Sequence, residues 1–156
     1  SAAFGQTTSW PEKTERNMRL YNIHGRLVKK NVSKYLINWD KPSRSKFQFS
    51  VKQFLKPYWC YQMCYEEFPV YGTRLKVDLI NATKKIAVEV NGDQHSKFTP
   101  FFHGNSRAKY LESIKRDWKK TEWLEKNGFK LIEIETKDLK LLSPEYIEKK
   151  CSVAII

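Results

Sequence analysis

Arg74-Leu75-Lys76-Val77-Asp78-Leu79-Ile80 and Lys85-Ile86-Ala87-Val88-Glu89-Val90-Asn91 each alternate polar with apolar residues, and only Asn81 to Lys84 lie between them. Period-two alternation marks a half-buried strand, and so short a connection joins the two as a hairpin. Pairing Val77 with Val88, Leu79 with Ile86 and Leu75 with Val90 gathers every large aliphatic except Ile80 on one face. A one-residue slip would scatter them. The opposite face then carries Lys76, Asp78, Ala87, Glu89 and Asn91. In that register Asp78 and Glu89 are diagonal cross-strand neighbours, roughly 7–8 Å apart at the backbone.

Two carboxylates so placed can lean together over one ion. Hard divalent cations such as magnesium take oxygen ligands, commonly one or two carboxylates plus water and phosphate. The carbonyl of Val90, at the strand's end, is a natural third ligand. A lone acid on a strand is ordinarily part of a solvated face, but here the polar run continues. Gly92 permits a sharp exit and Asp93-Gln94-His95 follows at once, on a loop at a strand end where binding and catalytic groups concentrate.

Further along, Leu111, Ile114, Trp118, Thr121 and Leu124 recur at three- and four-residue intervals from Arg107 to Asn127, and Gly128 follows as a stop. The spacing predicts an amphipathic helix with Asp117 at the margin of its apolar stripe. An ion pair with Arg116 or a neighbouring lysine is the structural role open to that acid. Phe129 to Ile134 reads as the next strand. Upstream, placing Phe68 opposite Leu75 puts Glu67 on the face of Lys76 and Asp78, which makes it a further candidate acid. Ser43 or Ser45 caps a helix expected to run to about Leu55, with Phe47, Val51, Phe54 and Leu55 as its stripe and Pro57 ending it. Ser143-Pro144-Glu145 opens a terminal helix through Lys150.

The arrangement of Asp78, ten residues, then Glu89-Val90-Asn91-Gly92-Asp93-Gln94-His95 resembles the PD-(D/E)xK nuclease superfamily, and within it the very-short-patch-repair-like endonucleases and related phage-borne homing endonucleases. The resemblance runs roughly from Lys46 to Leu139. Val77 stands where the motif has proline, and Asn91 where it has lysine. The repair-like branch lacks that lysine and relies on a downstream histidine, here His95, with a helical acid matched by Asp117. The resemblance implies a restriction-endonuclease-like α/β (α+β) core, a central mixed sheet flanked by helices. It also implies a metal-dependent DNA endonuclease using Mg2+, with Mn2+ able to substitute. Asp78, Glu89 and Val90 would hold the metal, and Asp78, Glu89, Asn91, His95, Asp117 and Glu67 would form the catalytic set.

The chain of 156 residues carries a net charge of +12, which favours a polyanionic partner through phosphate contacts and counterion release. The excess is uneven: residues 1–57 hold twelve Lys/Arg against three Asp/Glu, residues 58–156 seventeen against fourteen. With the nuclease core that the resemblance implies over 43–142, three segments are expected: a basic, β-rich arm over 1–42, partly disordered at its start, that core, and a terminal helix and tail over 143–156. In the arm, Tyr21 to Lys30 and Ser33 to Trp39 read as strand-like. Arg26, Lys29, Lys30, Lys34, Arg44, Lys46, Lys76, Gln94 and Lys97 are the candidate contacts to double-stranded DNA. Tyr21, Tyr35 and Trp39 are available either to stack on bases or to pack the arm.

No run approaches the ~18 apolar residues of a spanning helix, so a membrane role is not expected. Cys60, Cys64 and Cys151 lack zinc-ligand spacing and read as free thiols of a reducing, intracellular compartment; the resemblance implies a bacterial cytoplasm, with a phage-encoded origin open. Cutting both strands with one site per chain implies a homodimer or higher oligomer on DNA. A site-specific, homing-type activity is the leading expectation. A structure-specific repair or junction-resolving nuclease, or a non-catalytic binding module on the same fold, is the alternative.

Overall fold

The computed structural model describes residues 16–92 and 107–156. A two-stranded hairpin, β1 (Asn17–Tyr21) and β2 (Leu27–Asn31), precedes helix α1 (Lys46–Trp59). Strands β3 (Cys64–Pro69), β4 (Lys76–Asn81) and β5 (Ile86–Asn91) follow, then helix α2 (Arg107–Lys126), strand β6 (Lys130–Glu135) and helix α3 (Pro144–Cys151). The last four strands form one mixed sheet in the order β3-β4-β5-β6. Its first two pairings are antiparallel, and β6 lies parallel to β5 after the crossover through α2.

The hairpin of β4 and β5 forms where expected, but its register is two residues off the expected one. Leu79 faces Val88, Ile80 faces Ala87 and Asn81 faces Ile86. The turn decides this. Asn81 accepts the Lys84 N–H on its side chain, and Lys85 adopts a positive φ of 60°, so the chain reverses over Ala82–Lys85 and not over Asn81–Lys84. A two-residue slip keeps each side chain on its face, so hydrophobic pattern alone does not distinguish the two registers.

Both faces of the sheet are buried, so its strands are covered more fully than their alternation alone suggests. Tyr65, Phe68, Val77, Ile80 and Ala87 pack with Trp123 and Leu124 of α2 and with Leu20 and Val32 of the arm. Leu79, Ile86, Val88, Ile132 and Ile134 pack on the other side with α1, α3 and the terminal Val153 and Ile155. Tyr65 and Phe68 share a face although they are three apart, because Glu67 between them takes a left-handed φ of 53° and resets the alternation of a regular strand.

Helix α1 runs past Pro57 to Trp59 and does not stop near Leu55. Interior proline removes a backbone donor and strains the preceding turn. Beyond it, the fully buried indole of Trp59 donates to the Ile155 carbonyl at 2.9 Å, and that packing holds the last turn. Ser45 caps the start by accepting the Gln48 N–H. The face α1 buries is Gln48, Val51, Lys52, Leu55 and Trp59, with two polar residues among the apolar ones. Helix α3 forms as expected, capped by Ser143 with Pro144 in its first turn.

The arm differs in detail from its expected strands. Asn22 to Arg26 make the turn, in which the Asn22 side chain accepts the N–H groups of His24 and Arg26 and Gly25 supplies φ 83°. Ser33–Tyr35 is a 3-10 turn. Tyr35 packs edge-on against Phe68 at 5.9 Å and Trp39 lies among the second core's residues, so both aromatics tie the arm down.

Both margins of the sheet are engaged. Beside β3, Leu36 bridges to Tyr65 and the Ile37 N–H donates to the Cys64 carbonyl. Beside β6, the Lys150 ammonium reaches the Glu133 carbonyl at 3.2 Å.

Candidate functional site: a rung of acids beneath α2

Continuing the β4–β5 register one step beyond Leu79↔Val88 sets Asp78 directly across from Glu89. On the next strand Glu89 pairs with Glu133. On the other side, Glu67 stands across from Asp78, between the pairs Glu66↔Leu79 and Phe68↔Val77. Four acids, one from each strand, thus lie near one level of the sheet, with Glu89 and Glu133 a ladder pair. Like charges directly opposite destabilise a sheet, and each of these acids has a donor of its own.

At the centre, side chains take over from the backbone ladder. The Asp78 N–H donates to Glu89 Oε2 at 2.8 Å, and the Val90 N–H donates to Asp78 Oδ2 at 2.8 Å. Arg44 meets Asp78 Oδ1 at 3.3 Å, and Lys120 of α2 meets Glu89 Oε1 at 2.9 Å. Asp78 and Glu89 are 5% and 8% exposed. Burial first, and the charge of Glu89 second, push Asp78 up to about 7, against the pull of the Val90 N–H, Arg44 and Lys120. Burial likewise raises Glu89, aided by the nearby charge of Asp117, while Lys120 and the Asp78 N–H oppose it.

The flanking acids are held differently. Gln48 donates its amide to Glu67 at 3.0 Å and to Glu66 at 2.9 Å. Asn91 donates to Glu133 at 3.2 Å and borders a separate cavity with Lys150 and Cys151. The structure thus directs Asn91 towards the β6 edge and away from Asp78, although it shares the sheet face of Glu89.

A cleft of about 310 Å3 opens over Asp78, with Glu67, Lys76 and Arg74 on the sheet side and Ser113, Arg116, Asp117 and Lys120 on α2. The helix forms at the expected residues, but its apolar stripe is rotated. Ser113, Trp123 and Leu124 are buried, whereas Leu111, Ile114 and Trp118 are exposed. The packing of Trp123 against Phe68 and Tyr71 fixes this phase and turns Asp117 and Lys120 towards the cleft. Asp117 is exposed and borders the cleft without a salt bridge among the described residues. His95, Gln94 and Lys97 lie outside the described residues.

Lys120 is the residue that the sequence reading missed. It follows Asp117 by three positions and Ser113 by seven, so it shares their helix face. Of the expected DNA contacts, Arg44 and Lys76 border this cleft and Lys34 an adjoining one. Lys46 is exposed at the start of α1, and Arg26, Lys29 and Lys30 belong to the arm, with the Lys30 ammonium 5.0 Å over the Tyr71 ring.

The donor chemistry suits a hard divalent cation: two carboxylates on adjacent strands, in a place where their mutual repulsion favours a positive charge. An extended residue presents its N–H and C=O to the same side, so the Val90 carbonyl faces the Asp78 flank as its N–H does. Among the described residues no group of three or more His, Cys, Asp or Glu is arranged to hold a metal, and all four carboxylate oxygens of the pair already accept N–H donors from the chain. A cation would take the places of Arg44 and Lys120.

No family model and no solved structure matches the chain. A stretch of 66 residues is 39% identical to the uncharacterized protein 033L of Invertebrate iridescent virus 3. That stretch is 42% of this chain and 34% of the viral protein, so the match spans about a third of the relative's length. Among the described residues no helix is long and apolar enough to cross a membrane. Cys60, Cys64 and Cys151 are free, and burial pushes the Cys64 thiol up to about 12.

Proposed function

We propose that this chain is a divalent-metal-dependent DNA endonuclease of the PD-(D/E)xK kind. The observation that carries the reading is the central pair: Asp78 and Glu89, buried, on adjacent strands, each paired with a cation from a flanking segment. Natural folds bury opposed acids at a cost in stability, and such costs concentrate where chemistry needs them.

In this reading Asp78, Glu89 and the Val90 carbonyl hold magnesium or manganese. When bound, the ion supplies Lewis-acid polarisation of a phosphoryl oxygen and a lowered pKa for its water. The chain's own groups do the rest. Arg44 and Lys120 release the carboxylates and turn to the phosphate oxygens, where guanidinium and ammonium bind well. His95 takes the proton of the attacking water, and Asp117 at the cleft margin orients it.

Conversion of supercoiled plasmid to nicked or linear forms, with Mg2+ and with EDTA, tests the activity. Metal-dependent cutting that Asp78→Ala abolishes while DNA binding persists supports the site; undiminished cutting by that variant removes it. Cut positions on a long duplex separate a site-specific, homing-type enzyme acting as a homodimer from a structure-specific repair or junction nuclease. The complete pairing of the four carboxylate oxygens favours a second reading, a nucleic-acid-binding module on a nuclease-like sheet, which binds DNA and leaves plasmid intact under every divalent cation.

A further inference from the structure

The acid cleft does not end at Arg44. A second cavity of about 340 Å3 shares Arg44 and Glu67 with it and continues past Ser43, Lys41 and Tyr35 to Lys34. The two adjoin at Arg44 and Glu67. Arg74, Lys76 and Arg116 line the acid cleft itself, and Lys34 and Lys41 line its continuation. Lys34, Lys41 and Arg44 are all exposed. None of Lys34, Lys41, Arg74, Lys76 and Arg116 forms a salt bridge among the described residues.

The far wall of this groove is built, not incidental. Lys52 of α1 is fully buried, yet its ammonium donates to the Lys41 carbonyl at 2.7 Å and to Glu66 at 2.9 Å. Glu66 also accepts the Ser43 hydroxyl at 2.6 Å and the Gln48 amide. The Lys41 N–H donates to Asn38, and Ser45 is tied to Gln48. A buried cation kept without exposed surface demands full pairing, and here that pairing pins the backbone that carries Lys41 and Arg44. It also neutralises Glu66, so the charge that the groove wall has left is the more positive. Fixing the chain beforehand lowers the ordering cost of binding.

We infer that this extension is a second binding stretch for the backbone of a polynucleotide, holding the strand on one side of the phosphate that lies over Asp78. A single phosphate or a mononucleotide would need the acid cleft alone. Cations within the acid cleft and again along its continuation match a repeating polyanion, with one phosphate over the acids and a flanking one on Lys34 and Lys41. The inference rests on the nucleic-acid reading of the acid cleft, but it needs no cleavage and no metal.

The test is a fluorescence-anisotropy salt titration in EDTA, with a labelled duplex and a labelled single strand, comparing the full chain with Lys34→Ala/Lys41→Ala. Each lost phosphate contact removes about 0.9 from the log–log salt slope for duplex and about 0.7 for single strand. The double variant should lose about 1.8 or about 1.4 accordingly, keep the wild-type circular dichroism spectrum, and bind a mononucleotide as the wild type does. A control pair on the β6 side of the sheet, Lys140→Ala/Lys149→Ala, should change the slope less. An unchanged slope in the Lys34/Lys41 variant, an equal loss in the control, or no binding by the wild type overturns the inference. Slope loss in a protein that never cuts DNA upholds the groove and sinks only the endonuclease reading.

Discussion

Asp78 and Glu89 occupy facing positions on adjacent strands, and the backbone N–H of the first is held by the carboxylate of the second at 2.8 Å. Val90 returns the exchange to Asp78. Two acids thus replace a rung of the β ladder, and the sheet is locally held together by groups that repel one another when both are ionised.

Stability should report this as pH is varied. Burial and Glu89 raise the Asp78 pKa to about 7, so between its unfolded value near ~3.9 and about 7 the folded state binds more protons than the unfolded state. Stability contributed by Asp78 is therefore greatest at the acid end and falls as pH rises through that window. Asp78→Asn keeps an acceptor for the Val90 N–H and abolishes the titration. Urea midpoints across the window should show the variant gaining on wild type as pH rises. A constant difference between them would refute the assignment.

Divalent cations should offset the same repulsion. At pH 8, above the raised pKa of Asp78, millimolar Mg2+ or Mn2+ should raise the wild-type melting temperature progressively with concentration, as ligands that bind only the folded state do. Asp78→Asn should lose most of that rise. Arg44→Ala should strengthen the response, because Arg44 occupies the oxygen the cation needs. A weaker response in Arg44→Ala would contradict the exchange.

Lys120 is half-buried against Glu89. Removing it as Lys120→Ala strands a buried carboxylate and should cost about 2 kcal/mol. Glu89→Gln should cost less, and the double variant should recover much of the loss. A double-mutant cycle by denaturant unfolding measures the coupling; additive costs would show that the pair does not interact.

Asp138 anchors the segment that follows β6. It is 1% exposed and accepts from the Glu135 N–H, the Tyr146 hydroxyl and the Lys150 ammonium, and those donors hold its carboxyl below the usual range despite burial. Its stabilisation is present above the unfolded pKa and is lost as pH falls through the folded one. Asp138→Ala should destabilise by about 3 kcal/mol without changing DNA binding, which separates a structural acid from the acids of the cleft.

Much of this was legible in the sequence, and the misses have physical causes. Alternation located β4 and β5 and put Asp78 and Glu89 on one face, but a period of two is blind to a two-residue slip; Asn81 and Lys85 in the turn held that information. Ile80 and Ala87, which fitted no solvated face, were the sign that α2 covers it. The stripe drawn through Leu111, Ile114 and Trp118 obeyed helical spacing, yet Trp123 packing against Phe68 set the phase, and a contact between residues so far apart in sequence leaves no local trace. Lys120 went unnoticed for the same reason. Glu67 was placed on the correct face from the wrong partner, since Val77 and not Leu75 lies across from Phe68.

The engagement of both sheet margins bears on how copies of this chain can meet. A strand can be added to a sheet only where main-chain donors and acceptors are free, and here Ile37 holds the β3 side and Lys150 the β6 side. Sheet-to-sheet fusion at these positions, whether as an ordered pair or as the first step of fibrillar growth, would have to strip those guards away, which favours meeting through helices, the arm or side chains.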